Sequence, residues 1–206
     1  MSDVLPFPVS PHSFEPLTRD YEGYIFDCDG TLADSMPLHF EAWRGALSSH
    51  AAPFEFGWEL FVSRAGKTLE VTVQELNQQF GATLDPDAVA RRQRELYAAL
   101  LPRVAPVAEV VALVAPLAAR FPLAIASGSD RRTVEQTLRN LGIERHFRAI
   151  VTAEDVVHGK PAPDMFLLAA ERIGVAPERC VVFEDSLLGI EGARRANMGS
   201  SLVRRV

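Results

Sequence analysis

Residues 24–32 read YIFDCDGTL, an apolar run that delivers two aspartates into a glycine turn. Successive side chains of a strand point to opposite faces, so Asp27 and Asp29 are expected on one side of the chain where the strand ends. Two neighbouring carboxylates repel each other unless a cation or a shared proton offsets their charge. A fold does not need this repulsion, so the pair points to chemistry.

Two other interpretations of the same stretch were weighed against this one. An Asp-Gly pair between apolar residues is typical of a type I′ hairpin turn, and for the segment alone this interpretation stays open. A calcium loop also begins Asp-x-Asp, but it requires glycine at its sixth position and glutamate at its twelfth. Here the glycine comes fourth and the twelfth residue is Leu38, so the calcium-loop interpretation fails.

Length and composition limit the classes of protein to which the chain can belong. It has 206 residues, of which 48% are hydrophobic, and a formal net charge of −6. These values suit one domain with a sizeable insertion and a real hydrophobic core. The basic residues are scattered, which disfavours nucleic acid as a partner. The longest apolar run, 110–119, contains Pro116 and is too short to span a membrane, so we expect no membrane association.

The two cysteines, Cys28 and Cys180, lie 152 positions apart, each in an apolar run. This spacing fits neither a zinc motif nor a redox pair, so both are expected to be small core residues. Free cysteines suit a reducing compartment, and the first residues lack the basic and apolar regions of a secretory signal peptide. We therefore expect a cytoplasmic protein.

Patterns of periodicity divide the chain into three parts. Residues 1–20 contain four prolines and little periodicity, which predicts an extended N-terminal arm. Residues 36–103 show helical periodicity without a convincing strand. Residues 21–35 and 104–206 alternate short apolar runs with helical segments. The predicted fold is α/β, with a Rossmann-like parallel sheet, helices on both faces and an inserted α-helical module.

The ends of the predicted strands carry the polar residues of interest. In open parallel sheets, ligands bind outside the carboxyl ends of the strands. Four predicted strands, 24–27, 123–126, 149–151 and 180–183, are each followed by a polar cluster. The clusters are Asp27-Cys28-Asp29, Ser127-Gly128-Ser129-Asp130, Gly159-Lys160-Pro161 and Glu184-Asp185-Ser186.

Each cluster alone is a weak signal. Helix capping explains the serine-rich cluster and the Glu184 cluster equally well, and Lys160 alone would be a solvated surface lysine. Together they predict one crevice with three or four carboxylates, a lysine and hydroxyl groups. Close carboxylates repel by about 1–4 kcal/mol per pair. Mg²⁺, which takes hard oxygen ligands, would relieve that repulsion.

The four clusters resemble, in order and spacing, the four motifs of the haloacid dehalogenase-like hydrolase superfamily, over residues 22 to about 205. Residues 159–164, GKPAPD, and 183–186, FEDS, look like the branch of β-phosphoglucomutase and the sugar phosphatases. The resemblance implies a Mg²⁺-dependent phosphatase that hydrolyses a small phosphorylated metabolite, a sugar or polyol phosphate, through an aspartyl-phosphate. It also implies that 36–103 form a helical cap. We expect a monomer.

The resemblance implies a role for each matching residue. Asp27 is the expected nucleophile, and Asp29 is the expected general acid and base. The expected metal ligands are Asp27, the backbone carbonyl of Asp29, Glu184 and Asp185. The residues expected to bind the phosphate are Gly30, Thr31, Ser127, Gly128 and Lys160, of which Ser127 and Lys160 are also expected to be catalytic.

Four residues of the helical module, His39, Trp43, Arg64 and Lys67, are expected to meet the substrate. His39 and Trp43 are four apart on one helical face and match positions at which β-phosphoglucomutase approaches its sugar, although core packing explains that spacing equally well. Leu69 stands where the mutase has the arginine for its distal phosphate, which weakens the mutase assignment. The overall pattern looks closest to bacterial fructose-1-phosphate phosphatases.

Other functions were weighed on the same residues. A β-phosphoglucomutase-type mutase stays open, as does a non-catalytic phosphosugar-binding protein, although such a protein would lack Asp27, Lys160 or Asp185, and all three are present. Residues 65–68, AGKT, mimic the end of a P-loop, but Phe61 replaces a required glycine, so a kinase is disfavoured. The dehalogenase branch needs neither Asp29 as an acid nor the metal site.

Overall fold

A computed structural model describes residues 12–15, 17, 20–64 and 67–205. Its strands are β1 (His12–Phe14), β2 (Gly23–Phe26), β3 (Ala33–Asp34), β4 (Ala105–Pro106), β5 (Leu123–Ala126), β6 (Ala149–Val151), β7 (Cys180–Glu184) and β8 (Gly199–Arg205). Its helices of a full turn or more are α1 (Met36–Ser49), α2 (Trp58–Val62), α3 (Leu69–Phe80), α4 (Pro86–Leu100), α5 (Ala108–Ala118), α6 (Arg131–Asn140), α7 (Asp164–Ile173) and α8 (Leu187–Arg195).

The main sheet has the strand order β1-β8-β7-β2-β5-β6. The five strands from β8 to β6 pair in parallel, and β2 lies in the middle between β7 and β5. The predicted α/β fold with a parallel sheet is therefore confirmed. At one edge, β1 adds an antiparallel strand to β8. Part of the predicted extended arm is thus a strand of the sheet, while 1–11 lie outside the described residues.

Hydrophobic cores on the two faces of the sheet explain why its strands are continuous apolar runs. Tyr24 and Phe26 of β2 pack in one core with residues of α5 and α6. Ile25, between them, packs in a second core with residues of α7 and α8. Neighbouring side chains of a strand point to opposite faces. In a strand covered by helices on both sides, every side chain therefore lies in an apolar core.

The helices α1 to α4 lie between β3 and β4 and have an aromatic cluster of their own. Phe40, Trp43, Phe56 and Phe61 are all buried in it. At the start of α4, Asp85 accepts hydrogen bonds from the N–H groups of Asp87 and Ala88, at 3.0 and 3.3 Å, and Pro86 takes the first helical position. Such a cap contributes about 1 kcal/mol.

A short ribbon formed by β3 and β4 had no signal in the sequence. The strands β3 and β4 pair with each other as an antiparallel ribbon of two residues each, too short for periodicity to reveal.

Both cysteines are free and buried, as expected. Among the described residues, no helix combines the length and the apolar character that crossing a bilayer would require.

Candidate active site

The backbone brings four loops to one edge of the sheet. Beyond the end of β2, the N–H of Asp27 donates to the carbonyl of Phe183 at 2.9 Å. Beyond β5, the N–H of Ser127 donates to the carbonyl of Val151 at 3.0 Å. These bonds continue the parallel ladder past the strand ends, so the residues that follow β2, β5, β6 and β7 meet at the carboxyl edge, as parallel pairing requires.

At the centre of this edge, Lys160 bridges two buried carboxylates. Its Nζ donates to Asp27 Oδ1 at 2.6 Å and also to Glu184 Oε1. All three side chains are nearly removed from solvent, with 7% of Lys160, 7% of Asp27 and 1% of Glu184 exposed. A buried charge is tolerated only when it is paired, so this geometry excludes the solvated surface lysine that the sequence also allowed.

Asp185 completes an acidic group that one ammonium cannot neutralise. One carboxylate oxygen from each of Asp27, Glu184 and Asp185 lies within 4.8 Å of the others. Such a set of hard oxygen ligands fits Mg²⁺, which binds proteins through a few carboxylates and keeps several waters. The donor set therefore agrees with the predicted metal, and a bound Mg²⁺ would supply the positive charge that this cluster lacks.

The pKa values of Asp27 and Asp185 are raised, because burial and the neighbouring carboxylates disfavour their ionised forms. Burial raises the pKa of Asp27 to about 7, with Lys160 opposing the shift and Glu184 adding to it. Burial, followed by the charges of Glu184 and Asp27, also holds the pKa of Asp185 well above its usual range. Burial alone would lower the pKa of Lys160, but the charges of Asp27 and Glu184 outweigh it and raise that pKa. Lys160 is therefore a permanent cation.

Two glycines leave space for the carboxylates of Asp185 and Glu184. Gly30 has a φ of +83°, in the left-handed region that favours glycine, and a Cβ at this position would overlap the carboxylate of Asp185. A Cβ on Gly189 would likewise overlap the carboxylate of Glu184. Ser186, between the two acids and α8, caps that helix by accepting from the N–H of Gly189 at 3.0 Å. The capping interpretation thus holds for Ser186 and leaves Glu184 and Asp185 for the site.

The carboxylate of Asp29 faces the helical module. Its Oδ1 accepts from Ser35 Oγ at 2.8 Å, His39 Nε2 at 3.3 Å and Tyr97 Oη at 3.3 Å. Its Oδ2 accepts from Ser129 Oγ at 2.6 Å. Asp27 and Asp29 therefore have different partners, and Asp29 could join the acidic group only through its backbone carbonyl, the atom that the resemblance implied.

These donors set the charge state of Asp29. Burial by itself raises the pKa of this carboxyl, but the hydrogen bond and charge of His39 and the hydroxyls of Ser129 and Ser35 outweigh it. The net result is a pKa well below the usual value for aspartate, because all of these donors bind the ionised form. This arrangement therefore favours the ionised carboxylate of Asp29.

The residues expected to hold phosphate line the same loops. Ser127 is buried, and its Oγ accepts from the N–H of Ser129 at 3.1 Å, which leaves its hydroxyl hydrogen for a ligand. Gly128 is exposed beside it. Thr31 is fully buried, and its Oγ1 has no hydrogen-bond partner among the described residues. Gly30 lies in the turn after Asp29, next to the carboxylate of Asp185.

Of the four residues of the helical module expected to meet the substrate, the structure brings His39 to the site. Trp43 is 4% exposed in the aromatic cluster, 5.8 Å from Phe56 between ring centroids, as the core-packing interpretation expects. Lys67 is paired with Glu75 at 2.6 Å. Arg64 donates to Gln79, and its Nε lies 3.9 Å from Glu75. The contacts of these last three residues lie within the helical module.

Four functional neighbours were missed by sequence reasoning: Ser35, Gln93, Tyr97 and Ser129. Tyr97 stacks on His39 with 3.7 Å between ring centroids. The side-chain nitrogen of Gln93 lies 3.5 Å from His39 Nδ1, which leaves Nε2 to face Asp29. Gln93 and Tyr97 are four apart, on one face of α4. That spacing was the only signal, and it did not point to Asp29.

A cavity of about 400 Å³ opens beside the acidic group. Its lining includes Gly30 and Asp185, Met36 and Trp58 of the helical module, the exposed Leu187, Asp34 of β3 and residues 202–205 of β8. Neither Asp27 nor Lys160 lines it, so the cavity adjoins the acidic group without enclosing the proposed nucleophile.

Comparison with known proteins agrees with this geometry. Residues 21–197 match the family described as haloacid dehalogenase-like hydrolase. The chain is 40% identical over 188 residues to fructose-1-phosphate phosphatase YqaB of Escherichia coli, covering 89% of this chain and 97% of that protein. It is 32% identical over 179 residues to the phosphorylated carbohydrates phosphatase of Thermotoga maritima, covering 86% of this chain and 82% of that protein.

Among solved structures, β-phosphoglucomutase of Clostridium difficile has a similar fold, with a TM-score of 0.74, 24% sequence identity, and coverage of 87% of this chain and 83% of that one. The family match spans the polar clusters at all four strand ends, and the relatives agree with the branch to which residues 159–164 and 183–186 pointed. The chain therefore belongs to the haloacid dehalogenase-like hydrolase family, in the branch of β-phosphoglucomutase and the sugar phosphatases, and is a phosphatase.

Proposed function

We propose that this phosphatase is Mg²⁺-dependent and hydrolyses a small sugar or polyol phosphate through an aspartyl-phosphate on Asp27. The observation that carries the proposal is the buried bridge from Lys160 to Asp27 and Glu184, with Asp185 beside it. A structural ion pair would not need a third carboxylate, that of the half-buried Asp185, beside the other two. The substrate class is supported by the names of two relatives, a fructose-1-phosphate phosphatase and a phosphorylated carbohydrates phosphatase.

The first step is attack by an Asp27 carboxylate oxygen on phosphorus, which forms the P–O bond to Asp27 and breaks the bond to the leaving alkoxide. Mg²⁺ on Asp27, the Asp29 carbonyl, Glu184 and Asp185 would supply charge that offsets the repulsion between carboxylate and phosphate. Lys160, Ser127 and the N–H groups of the turn at Gly30 and Thr31 would hold the phosphoryl oxygens.

Proton transfer is the proposed task of Asp29. Because Asp29 is ionised in the free enzyme, it must first take a proton from solvent as the substrate binds, and it gives that proton to the leaving oxygen. It then takes a proton from the water that hydrolyses the phospho-aspartate, which releases phosphate, returns Asp27 to a carboxylate and leaves Asp29 protonated for the next cycle. The hydrogen bonds from His39 and Tyr97 tie this residue to the helical module. We propose that residues 36–103 are a cap on the core formed by 21–35 and 104–206, and that closure of the cap excludes bulk water.

A β-phosphoglucomutase-type reaction is the second candidate. The mutase must hold a bisphosphate intermediate, whereas Leu69, at the position expected for its arginine, packs against the aromatic cluster of the cap. An apolar side chain cannot bind a second phosphate, so this observation favours hydrolysis. Arg64 and Lys67 stay proposed substrate residues, the burial of Trp43 favours the core-packing interpretation, and a monomeric, cytoplasmic enzyme stays a prediction.

The test is a panel of sugar and polyol phosphates, including fructose 1-phosphate and β-glucose 1-phosphate, with Mg²⁺ and with a chelator. We expect phosphate release only with the metal, and none from Asp27→Asn. Phosphate release by Asp27→Asn at the wild-type rate would overturn the nucleophile assignment. Glucose 6-phosphate as the main product from β-glucose 1-phosphate would favour the mutase.

A further inference from the structure

The junction between the core and the helical module is thin. The chain passes through it twice, in β3 and in β4, and these strands pair only at Ala33 with Pro106 and at Asp34 with Ala105. Such a short ribbon cannot by itself hold a fixed geometry, because an isolated two-stranded hairpin is at best marginally stable. Backbone hydrogen bonds fix the start of β3, since the N–H of Ala33 donates to the carbonyl of Cys28 at 2.9 Å and its carbonyl accepts from the N–H of Gly30 at 2.8 Å. A further contact is needed to fix the other end of β3, at Asp34.

An ion pair to the far end of the chain supplies that contact. Arg205 donates to Asp34 Oδ2 at 2.8 Å, and the two side chains are 28% and 9% exposed. Arg205 belongs to β8, which pairs with β7 over 199–202 and with β1 over 203–205. The ion pair therefore ties the short ribbon to a long strand of the main sheet.

The residue after Asp34 departs from its local rule. Ser35 occupies the N-cap of α1, where a serine normally accepts a hydrogen bond from the first helical turn, yet its side chain caps nothing. The hydroxyl is fully buried and donates to Asp29 instead. Departures of this kind are expected at functional sites. The position of Ser35 depends on the position of Asp34, its neighbour in the ribbon.

We propose that Arg205 is a positioning residue: by holding Asp34, it keeps the Ser35 hydroxyl on Asp29 and so fixes the proton-transferring carboxylate relative to Asp27. The inference rests on the proposed role of Asp29. Small misplacements of reacting groups reduce rates strongly, by up to about 100-fold for a shift near 1 Å. The effect should therefore appear in turnover and not in substrate affinity.

The same strand offers a matched control. Arg204, the preceding residue, pairs with Glu15 at 3.1 Å, and the two side chains are 63% and 55% exposed. It carries the same charge on the same strand and lines the same cavity, but it pairs with Glu15 and not with Asp34. If the Arg205 pair were only another surface salt bridge, Arg205→Gln and Arg204→Gln would behave alike, because exposed pairs contribute little.

The first experiment compares kcat and KM of both variants with fructose 1-phosphate and Mg²⁺. We expect Arg205→Gln to lower kcat about tenfold with KM within about twofold of wild type, and Arg204→Gln to change neither. Arg205→Lys, which keeps one charged donor, should recover part of the loss. Equal kcat values in the two glutamine variants would overturn the proposal.

The second experiment tests the route through Ser35. Because residues that act as one unit are not additive, Arg205→Gln should cost little further kcat in a Ser35→Ala background. Independent, multiplying losses would contradict the proposal even if each variant were impaired. This outcome separates positioning from a general loss of stability, which would affect both backgrounds equally.

A third measurement does not depend on turnover. Amide hydrogen exchange over 33–40 should be faster in Arg205→Gln than in wild type or Arg204→Gln, while exchange in β5 stays unchanged. If the wild-type enzyme released no phosphate from any sugar phosphate, the proposed function would fail, and this measurement would still decide whether Arg205 holds the ribbon. Unchanged exchange over 33–40 would overturn the inference by itself.

Discussion

Lys160 Nζ lies 2.6 Å from Asp27 Oδ1, and both side chains are buried, so the proposed nucleophile is paired with an ammonium before any substrate arrives. The same nitrogen also contacts Glu184. Burial raises the pKa of Asp27 to about 7, and the Lys160 ammonium opposes that rise. Lys160 therefore favours the ionised form of the nucleophile.

Lys160→Met should therefore damage both stability and activity. Without the ammonium, the buried carboxylates lose their cation, and we expect the free energy of unfolding to fall by about 3 kcal/mol or more. Phosphate release should fall at least about 100-fold, since the phosphoryl oxygens lose a fixed donor. Urea unfolding and steady-state kinetics measure the two effects.

The control for this change is Lys67→Met, which removes the same charge from an exposed pair with Glu75. Its effect on the free energy of unfolding should be below about 1 kcal/mol. If the two variants had the same free energy of unfolding without metal, the protein's tolerance of the buried acidic group would not depend on Lys160.

Asp185→Asn should separate two effects of the Asp185 carboxylate, its binding of Mg²⁺ and its repulsion of the neighbouring carboxylates. Mg²⁺ at 100 times its Kd is expected to stabilise the wild type by about 2.7 kcal/mol, and this gain should shrink in the variant. Without metal, the variant should be at least as stable as the wild type, because one repelling carboxylate has gone. Thermal unfolding with Mg²⁺ and with a chelator measures both effects.

Glu171→Gln, at an exposed position of α7, is the control for the metal experiment and should keep the full response to Mg²⁺. A variant of Asp185 that responded to Mg²⁺ as the wild type does would show that Asp185 is not a ligand.

Asp155 gives a dependence of stability on pH that is independent of the active site. It accepts from Arg131 at 2.7 Å, Arg172 at 2.9 Å and the N–H of Thr152 at 2.8 Å. Burial alone would raise the pKa of Asp155, but these hydrogen bonds lower it to about 2. A carboxyl whose pKa is lowered by folding adds stability above its unfolded pKa of about 4 and loses it as the pH falls toward the folded value.

Asp155→Asn should accordingly lower the free energy of unfolding by about 1–2 kcal/mol near pH 7. The difference in the free energy of unfolding between variant and wild type should narrow as the pH is lowered from about 5 to 3. Urea unfolding across this range is the measurement. A gap that stayed constant with pH would mean that lost packing, and not the ionised carboxylate, causes the destabilisation.

Trp43 tests whether the helical spacing of His39 and Trp43 reflects packing or substrate binding. Because Trp43 is buried in the aromatic cluster, Trp43→Phe should lower the free energy of unfolding by about 1 kcal/mol or more and leave KM within about twofold of wild type. His39→Gln is the matched comparison, and its effect should be on kcat. A large rise in KM without loss of stability in Trp43→Phe would restore the substrate role.

The meeting of Asp27, Lys160, Glu184 and Asp185 could be expected from the sequence because it follows from topology. Asp27, Glu184 and Asp185 come directly at the ends of continuous apolar runs and Lys160 nine residues after one, and the carboxyl ends of parallel strands lie at one edge of a sheet. No knowledge of side-chain packing was needed. The same reasoning could not find β1, β3 or β4, because these stretches of two or three residues are not continuous apolar runs.

The surroundings of Asp29 depended on contacts that no local pattern encodes. Tyr97 and Ser129 are 68 and 100 positions from Asp29, on separate elements. Tyr97 is positioned by the packing of α4 against α1, whereas Ser129 lies in the loop after β5.

The sequence by itself determined the strands, the loops at their carboxyl ends and the acidic residues with their lysine, because alternation and apolar runs are local properties of the chain. Only the tertiary structure decided that the two aspartates of the opening motif have different partners, that Lys160 is buried, and that Arg205 holds the ribbon beside Ser35. Those outcomes depend on burial and on hydrogen bonds between distant segments, and both exist only once the chain has packed.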